Sequence, residues 1–127
     1  MSDPSLALQV ALFERLSACL SCPVFDAVPA ETPYPYVTLD YEIADDRSWL
    51  ERRMEVRFQY LTVWSQHRGQ SEVKRILGEI GDALHDQRLS LATGRAVSVR
   101  VQLTRTNREP DGLTYQGQVT LRVLTTH

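Results

Sequence analysis

Two cysteines three positions apart come closer than any other residues in this chain to a chemical motif. Cys19-x-x-Cys22 has the spacing of a redox pair, or of one half of a zinc site. A redox pair places its first cysteine at a helix N-terminus, whereas the helical pattern here ends at the pair, where the helix dipole disfavours a thiolate. Zinc needs four ligands, and the three histidines lack ligand spacing. We therefore expect Cys19 to pack as a small hydrophobic residue and Cys22 to lie at the helix end.

The remaining reactive side chains lack the neighbours that would activate them. Ser65 lies two residues before His67, but no third orienting group and no oxyanion site are evident. Asp45 and Asp46 lie in an acidic segment without the loop spacing of a calcium site. No glycine-rich loop precedes a helix, so phosphate binding has no support. We predict no catalytic residue, no metal and no cofactor, and an enzyme that uses the cysteine pair stays as a weaker alternative.

Size and charge set the class of protein that is expected. The chain has 127 residues, of which 43% are hydrophobic and 24% charged, as in an ordinary globular protein that spans 1–127 as one domain. Its net charge of −2 argues against a dedicated nucleic-acid binder. The sequence has no apolar run of the ~20 residues that span a membrane, and no signal peptide is evident. With two cysteines only, a reducing compartment is expected.

Hydrophobic periodicity indicates two helices and four to five strands. The first helix covers about 3–20, with Ser2 or Asp3 as its cap and two apolar stripes side by side; the second covers about 70–86, with His85 near its end. A short extended piece at 24–28 precedes strands at 35–43 and 53–65, and two long alternating strands follow Leu91. Short connections favour a mainly antiparallel sheet. The predicted fold class is α+β, two-layer, with both helices on one face.

The strand at 53–65 changes its apolar parity along its length. Met54, Val56, Phe58 and Tyr60 share one face, and Leu61 and Val63 are apolar on the other. We expect either a bulge near Tyr60 or a strand covered on both faces at its far end. In the last two strands, Val97, Val99, Val101 and Leu103 are expected to form one apolar row.

Six residues are candidates for an interface with another subunit or with a partner protein. Trp49 lies in the charged segment 44–52 beside Arg52, as an aromatic interface anchor would. Arg100 and Arg122 are expected on the polar face of the sheet, and Arg108 in a projecting loop at 104–112. Tyr36 begins a strand after Pro33-Tyr34-Pro35, and replacing it with alanine is predicted to harm folding or assembly.

An ordered series of segments resembles one known family. These segments are Val24-Phe25-Asp26-Ala27-Val28-Pro29, Pro33-Tyr34-Pro35-Tyr36-Val37-Thr38-Leu39, Val63-Trp64-Ser65 with Gly69 and Glu72, Ala83-Leu84-His85, Leu89-Ser90-Leu91, and Pro110-Asp111-Gly112-Leu113-Thr114 with Gly117 and Leu121-Arg122-Val123. In order and spacing, they resemble the phage tail-completion or tail-terminator family, also found in gene transfer agents.

The resemblance implies a structural virion protein, assembled in the bacterial cytoplasm, that forms a hexameric ring at the head-proximal end of a tail. The implied partners are further copies of the chain, the major tail tube protein and a head-tail connector or stopper protein. DNA passes through the lumen without sequence-specific binding, and no membrane is involved. The family has no catalytic residues to transfer. The alternative left open is a small dimeric α+β module that binds a ligand or regulates.

Overall fold

The computed structural model describes residues 3–127, except for the side chain of Val97. The elements follow in the order α1 (Ser5–Cys19), β1 (Val24–Phe25), β2 (Tyr36–Asp46), β3 (Met54–Ser65), α2 (Ser71–Leu84), β4 (Gln87–Leu89), β5 (Arg95–Arg108) and β6 (Tyr115–Thr126). Neither helix is long and apolar enough to cross a bilayer, within the residues described.

One six-stranded sheet has the order β1-β2-β3-β6-β5-β4, antiparallel except for the β1–β2 pair. Helix α2 packs on the central strands, and α1 contacts α2 and both edge strands, so the sheet wraps the helix pair. The predicted α+β class is confirmed, but the strand count is higher than expected. The additional strand is β4, a three-residue segment too short to show periodicity.

The core lies between the helices and the face of the sheet that they cover, here called the helix side. Leu8, Leu12 and Leu16 of α1 are fully buried there, as are Ile76 and Ile80 of α2. The second apolar stripe predicted for the first helix is not buried. Leu6, Val10 and Phe13 remain 71%, 48% and 40% exposed.

Local contacts explain where the helices begin and end. The N-cap of α1 is Pro4, not Asp3 as predicted, and the Asp3 carboxylate one residue earlier accepts a hydrogen bond from the Ser5 amide at 2.9 Å. Ser2, the other predicted cap, lies outside the described residues. The Arg15 guanidinium donates to the carbonyl oxygen of Ala83 in the last turn of α2, at 2.9 Å. Near the other end of α2, a Cβ on Gly117 would lie 2.6 Å from a Val73 methyl, so the glycine permits close packing of α2 on β6.

The apolar residues of β3 change faces along the strand, and a bulge in that strand is not the cause. Its register with β6 is continuous from Met54 to Ser65, and the bulge lies instead in β2, between Leu39 and Glu42. The predicted bulge near Tyr60 of β3 is therefore wrong. Leu61 and Val63 are on the helix side, so the alternating apolar residues of the first half of β3 point to the outer face.

A register irregularity between Val101 and Leu103 divides the predicted apolar row of β5. Val99 pairs with Val123 and is fully buried, whereas Leu103 pairs with Thr120 on the outer face and is 58% exposed. The next residue, Thr104, pairs with buried Val119. The assignment of Leu103 to the same apolar row as Val99 is thus wrong, because the irregularity exchanges the two faces.

Candidate interaction surfaces

The β2–β3 hairpin ends in an exposed turn that carries Trp49 and Arg52. Their backbones exchange two hydrogen bonds, at 3.0 and 2.9 Å, which close a two-residue turn. Leu50, the first residue of the turn, has φ +51°, an uncommon backbone conformation for a bulky side chain. Trp49 is 72% and Leu50 84% exposed. We call residues 47–53 the hairpin tip.

Arg100 and Arg122 lie directly opposite each other on adjacent strands of the outer face. Like charges in this arrangement repel, and an Asp86 carboxylate oxygen lies 3.6 Å from Nε of Arg100. Arg122 is flanked on its other side by Phe58 of β3. The two arginines form one site, as expected from their shared face, and it lies away from the hairpin tip.

Tyr36 belongs to an aromatic cluster at the opposite end of β2. Its ring contacts Phe25 edge to face at 5.9 Å between centroids, Tyr34 at 5.2 Å and Trp64 in a stacked arrangement at 6.5 Å. The Trp64 indole nitrogen donates to the Thr38 hydroxyl at 3.1 Å. The cluster therefore joins β1, β2 and β3, and Tyr34 remains partly accessible at its edge.

Arg108 is exposed at the end of β5, beside a turn ordered by Asp111. The predicted loop at 104–112 is therefore wrong for 104–108, which pair with β6 as part of the strand. The Asp111 carboxylate accepts hydrogen bonds from the amides of Leu113 and Thr114 and from the Thr114 hydroxyl, at 2.8–2.9 Å. These donors favour the ionised carboxylate and lower the pKa of Asp111 below 3.8. Pro110, Asp111 and Gly112 are residue types that favour a turn, and Gly112 has φ +74°.

The structure therefore distributes the six predicted interface residues over four places. Trp49 and Arg52 are together, Arg100 and Arg122 are together, and Tyr36 and Arg108 lie apart from these pairs. Their roles as interface residues stay predictions.

Two further apolar surfaces were not assigned from the sequence. On the outer face, Tyr41 stacks on Tyr60 at 4.5 Å, and Tyr41, Ile43 and Leu103 are 65%, 49% and 58% exposed. A groove of about 310 Å³ beside this stack also has polar walls, which include Asp40, Arg105 and Gln118.

The second surface follows the exposed stripe of α1. A groove of about 530 Å³, which we call the α1 groove, is lined by Asp3, Leu6, Ala7, Val10, Ala11 and Glu14 with Ser90, Ala92 and Thr93. Its lining is largely apolar, and acidic residues contribute to its rim.

A buried charged cluster on the helix side is the main feature that the sequence did not reveal. The Arg57 side chain is 2% exposed. It donates from Nε to Thr125 Oγ1 at 2.9 Å, from Nη1 to Glu42 at 2.8 Å, and from Nη2 to Asp3 and Glu55 at 2.7 and 3.0 Å. The cluster therefore connects α1, β2, β3 and β6.

Electrostatics within the cluster favour the charged forms. Burial alone would lower the pKa of Arg57, but its hydrogen bonds and charge interactions with Glu42 and Asp3 outweigh burial and raise the pKa. The pKa of Asp3 is lowered. Partial burial of its carboxylate would raise this pKa, but the hydrogen bond from the Ser5 amide and the interactions with Arg57 outweigh burial. Nε2 of His127 lies 3.0 Å from the second carboxylate oxygen of Glu55. This extends the network to the last described residue.

Most of the groups considered for chemistry have structural partners. Cys22 is buried, and loss of water around its thiol raises the pKa to about 11. Cys19 is exposed in the last turn of α1, so the expectation that it packs as a small hydrophobic residue is wrong. The Ser65 hydroxyl donates to Glu72 at 2.7 Å and accepts from the His67 amide, so its contact with His67 does not involve the imidazole. His85 follows α2, and its Nδ1 accepts from the Val101 amide. Residues 3–127 contain no metal-binding group of three suitable side chains.

Comparisons with known proteins agree over nearly the whole chain. The family model "Tail completion protein gp17" matches residues 9–126. A chain of the "Virion of native gene transfer agent (GTA) particle" has the same fold, with a TM-score of 0.89, 23% identity and complete coverage of both chains. No curated protein matches. Because the family model covers far more than half of its residues, the chain belongs to the tail completion protein gp17 family, whose members are structural proteins of the virion tail.

Proposed function

We propose that the chain assembles into a ring, a hexamer by its family resemblance, that closes the head-proximal end of a phage-like tail tube. The ring ends tube polymerisation, binds the major tail tube protein on one side and a head connector or stopper protein on the other, and lets DNA pass. The observation that carries the proposal is the family match over residues 9–126. No catalytic step is part of this function.

The surface of the protein supports an assembly role. Large apolar side chains are exposed at several places, and three of these are the hairpin tip, the outer face around Tyr41 and Ile43, and the α1 stripe. Several exposed apolar surfaces on one small protein are typical of a subunit that contacts more than one partner. A ring also needs two different complementary surfaces on each copy, and these three differ in shape and charge.

The alternative, a dimeric ligand-binding module, is supported less well. Such a module needs a concave, mostly apolar pocket with a few converging polar groups. The groove on the outer face is instead walled by a carboxylate, a guanidinium and an amide as well as the two tyrosines. The α1 groove is largely apolar, but Leu6 and Val10 on its wall are 71% and 48% exposed, so it is an open surface more than an enclosing pocket.

The experiment combines mass photometry with negative-stain imaging of the purified chain, alone and with tail tubes. The proposal expects six-copy rings in solution or at one end of each tube, and tubes that stop growing when the protein is added during polymerisation. A chain that stays monomeric and neither binds tubes nor limits their length would refute it. The Tyr36→Ala variant, checked for folding by circular dichroism, tests the aromatic cluster in the same assay.

A further inference from the structure

The hairpin tip is built to present two apolar side chains to a partner. Trp49 and Leu50 are among the most exposed large apolar residues of the described chain. The tip is closed by the reciprocal backbone hydrogen bonds of Trp49 and Arg52, so these side chains project from an ordered turn. Ordering in advance reduces the entropy lost on binding, and tryptophan is the side chain most enriched at binding hot spots.

The α1 groove has the matching properties. Leu6 and Val10 line it, with the small side chains of Ala7, Ala11 and Ala92 between them. Its volume of about 530 Å³ accommodates an indole ring. Leu6 and Val10 are 71% and 48% exposed, so the groove is not filled by its own chain.

Charge complementarity identifies the occupant. Glu14 lines the groove, and Arg52 lies at the tip beside Trp49. Neither side chain forms an ion pair with any other residue in the described range 3–127. A tip inserted into a groove would bring an arginine to a carboxylate, with the indole against the apolar walls.

We propose that the hairpin tip of one copy docks into the α1 groove of the next copy around the ring. The inference rests on the ring proposed above and assigns its subunit contact. Tip and groove are different surfaces, so the contact is heterologous, and repeated contacts close when the rotation between copies permits. The tube and the connector then bind other surfaces, such as the outer face.

The test uses two variants that each lose one half of the contact. Trp49→Ala removes the tip anchor but retains the groove, and Val10→Glu places a charge in the groove but retains the tip. Each variant alone should associate about 30-fold more weakly or worse, the loss expected for a binding hot spot. An equimolar mixture should form dimers and nothing larger, because it contains one intact kind of contact. Leu113→Ala, which removes an exposed apolar side chain at the β5–β6 turn, is the matched control and should form rings normally.

A charge reversal provides a second measurement that also works on tubes. Arg52→Glu and Glu14→Arg should each reduce the number of rings, in solution or at tube ends, and the double variant should restore them. All the substituted side chains are exposed, and circular dichroism is used to check that each variant is folded. Should Val10→Glu not fold, Leu6→Glu replaces it.

The outcomes separate this contact from the ring itself. Normal rings from Trp49→Ala or Val10→Glu, a mixture that stays monomeric, or no rescue by the double reversal would overturn the docking while the ring stands. Tip variants that form rings but lose tube binding would assign the tip to the tube, and also overturn it. A wild-type chain that forms no ring, with or without tubes, removes the proposed function together with the contact.

Discussion

Replacing Arg57 with methionine should destabilise the protein far more than its single position suggests. The guanidinium makes four hydrogen bonds, three of them to carboxylates. Methionine fills much of the volume but leaves the Glu42 and Glu55 side chains, which are 18% and 11% exposed, without their counter-charge. Asp3, at 69% exposed, can regain water and adds little.

The two buried carboxylates set the magnitude. A hydrogen bond to a charged group contributes about 1.5–3 kcal/mol, and removing one partner of a buried ion pair costs about 3–5 kcal/mol. We therefore expect a loss of about 4 kcal/mol in the free energy of unfolding at pH 7. For a domain of this length that corresponds to a decrease of roughly 10–20 °C in Tm. Urea unfolding monitored by circular dichroism measures the difference.

The matched control is Arg47→Met. Arg47 also pairs with an aspartate at 2.8 Å, but both side chains are more than half exposed, so the expected change is about 0–1 kcal/mol. Adding Glu42→Gln and Glu55→Gln to Arg57→Met should recover most of the stability, because no buried charge then remains unpaired. Equal losses from Arg57→Met and Arg47→Met would refute the account of the cluster.

Three further predictions concern local contacts. Gly117→Ala should destabilise the protein by about 1–3 kcal/mol because the new methyl overlaps Val73. Gly78→Ala, whose methyl meets no neighbour, should be neutral or stabilising. Urea unfolding of both variants checks this prediction, and equal effects would contradict it. Asp111→Asn should lower the free energy of unfolding at pH 7. The difference from the wild type should disappear as the pH falls below 3.8 through the lowered folded-state pKa, since the donors favour only the ionised carboxylate. A difference in unfolding free energy that does not change with pH would exclude this cause. In the folded protein one thiol, that of exposed Cys19, should react rapidly with a thiol reagent, and buried Cys22 only after unfolding; two fast equivalents would contradict the burial.

How much of the fold could be predicted depends on how clearly each pattern separates two faces. In α2, Val73, Ile76, Ile80 and Leu84 are all buried, as their spacing predicts, because the opposite face is charged. In α1 both stripes are apolar, so the spacing could not tell which stripe packs on the sheet. The three buried leucines at Leu8, Leu12 and Leu16 were separated from the exposed stripe only by tertiary contacts.

The candidate surfaces were predicted in part. The isolated tryptophan in the charged segment 44–52 drew attention to the position where the structure has the exposed hairpin tip. A large aromatic side chain is unusual in such a polar segment, and this made Trp49 a candidate. The groove was not predictable, since it combines α1 with the segment 90–93, and nothing in either segment alone indicates their proximity. The shared face of Arg100 and Arg122 followed from strand alternation.

The apolar parity of β3 shows how the buried cluster and the apolar outer face are connected. Alternation alone suggests that Met54, Val56, Phe58 and Tyr60 face the core, but Leu61 and Val63 fix the opposite side as the one beneath the helices. Glu55, Arg57 and Gln59 must then point toward the helices, where only a saturated network makes burial of charge tolerable. The cluster is therefore the condition under which this half of the strand can present apolar side chains on the outer face. A subunit that binds partners through its sheet benefits from that arrangement, because it keeps an apolar outer surface without exposing its core.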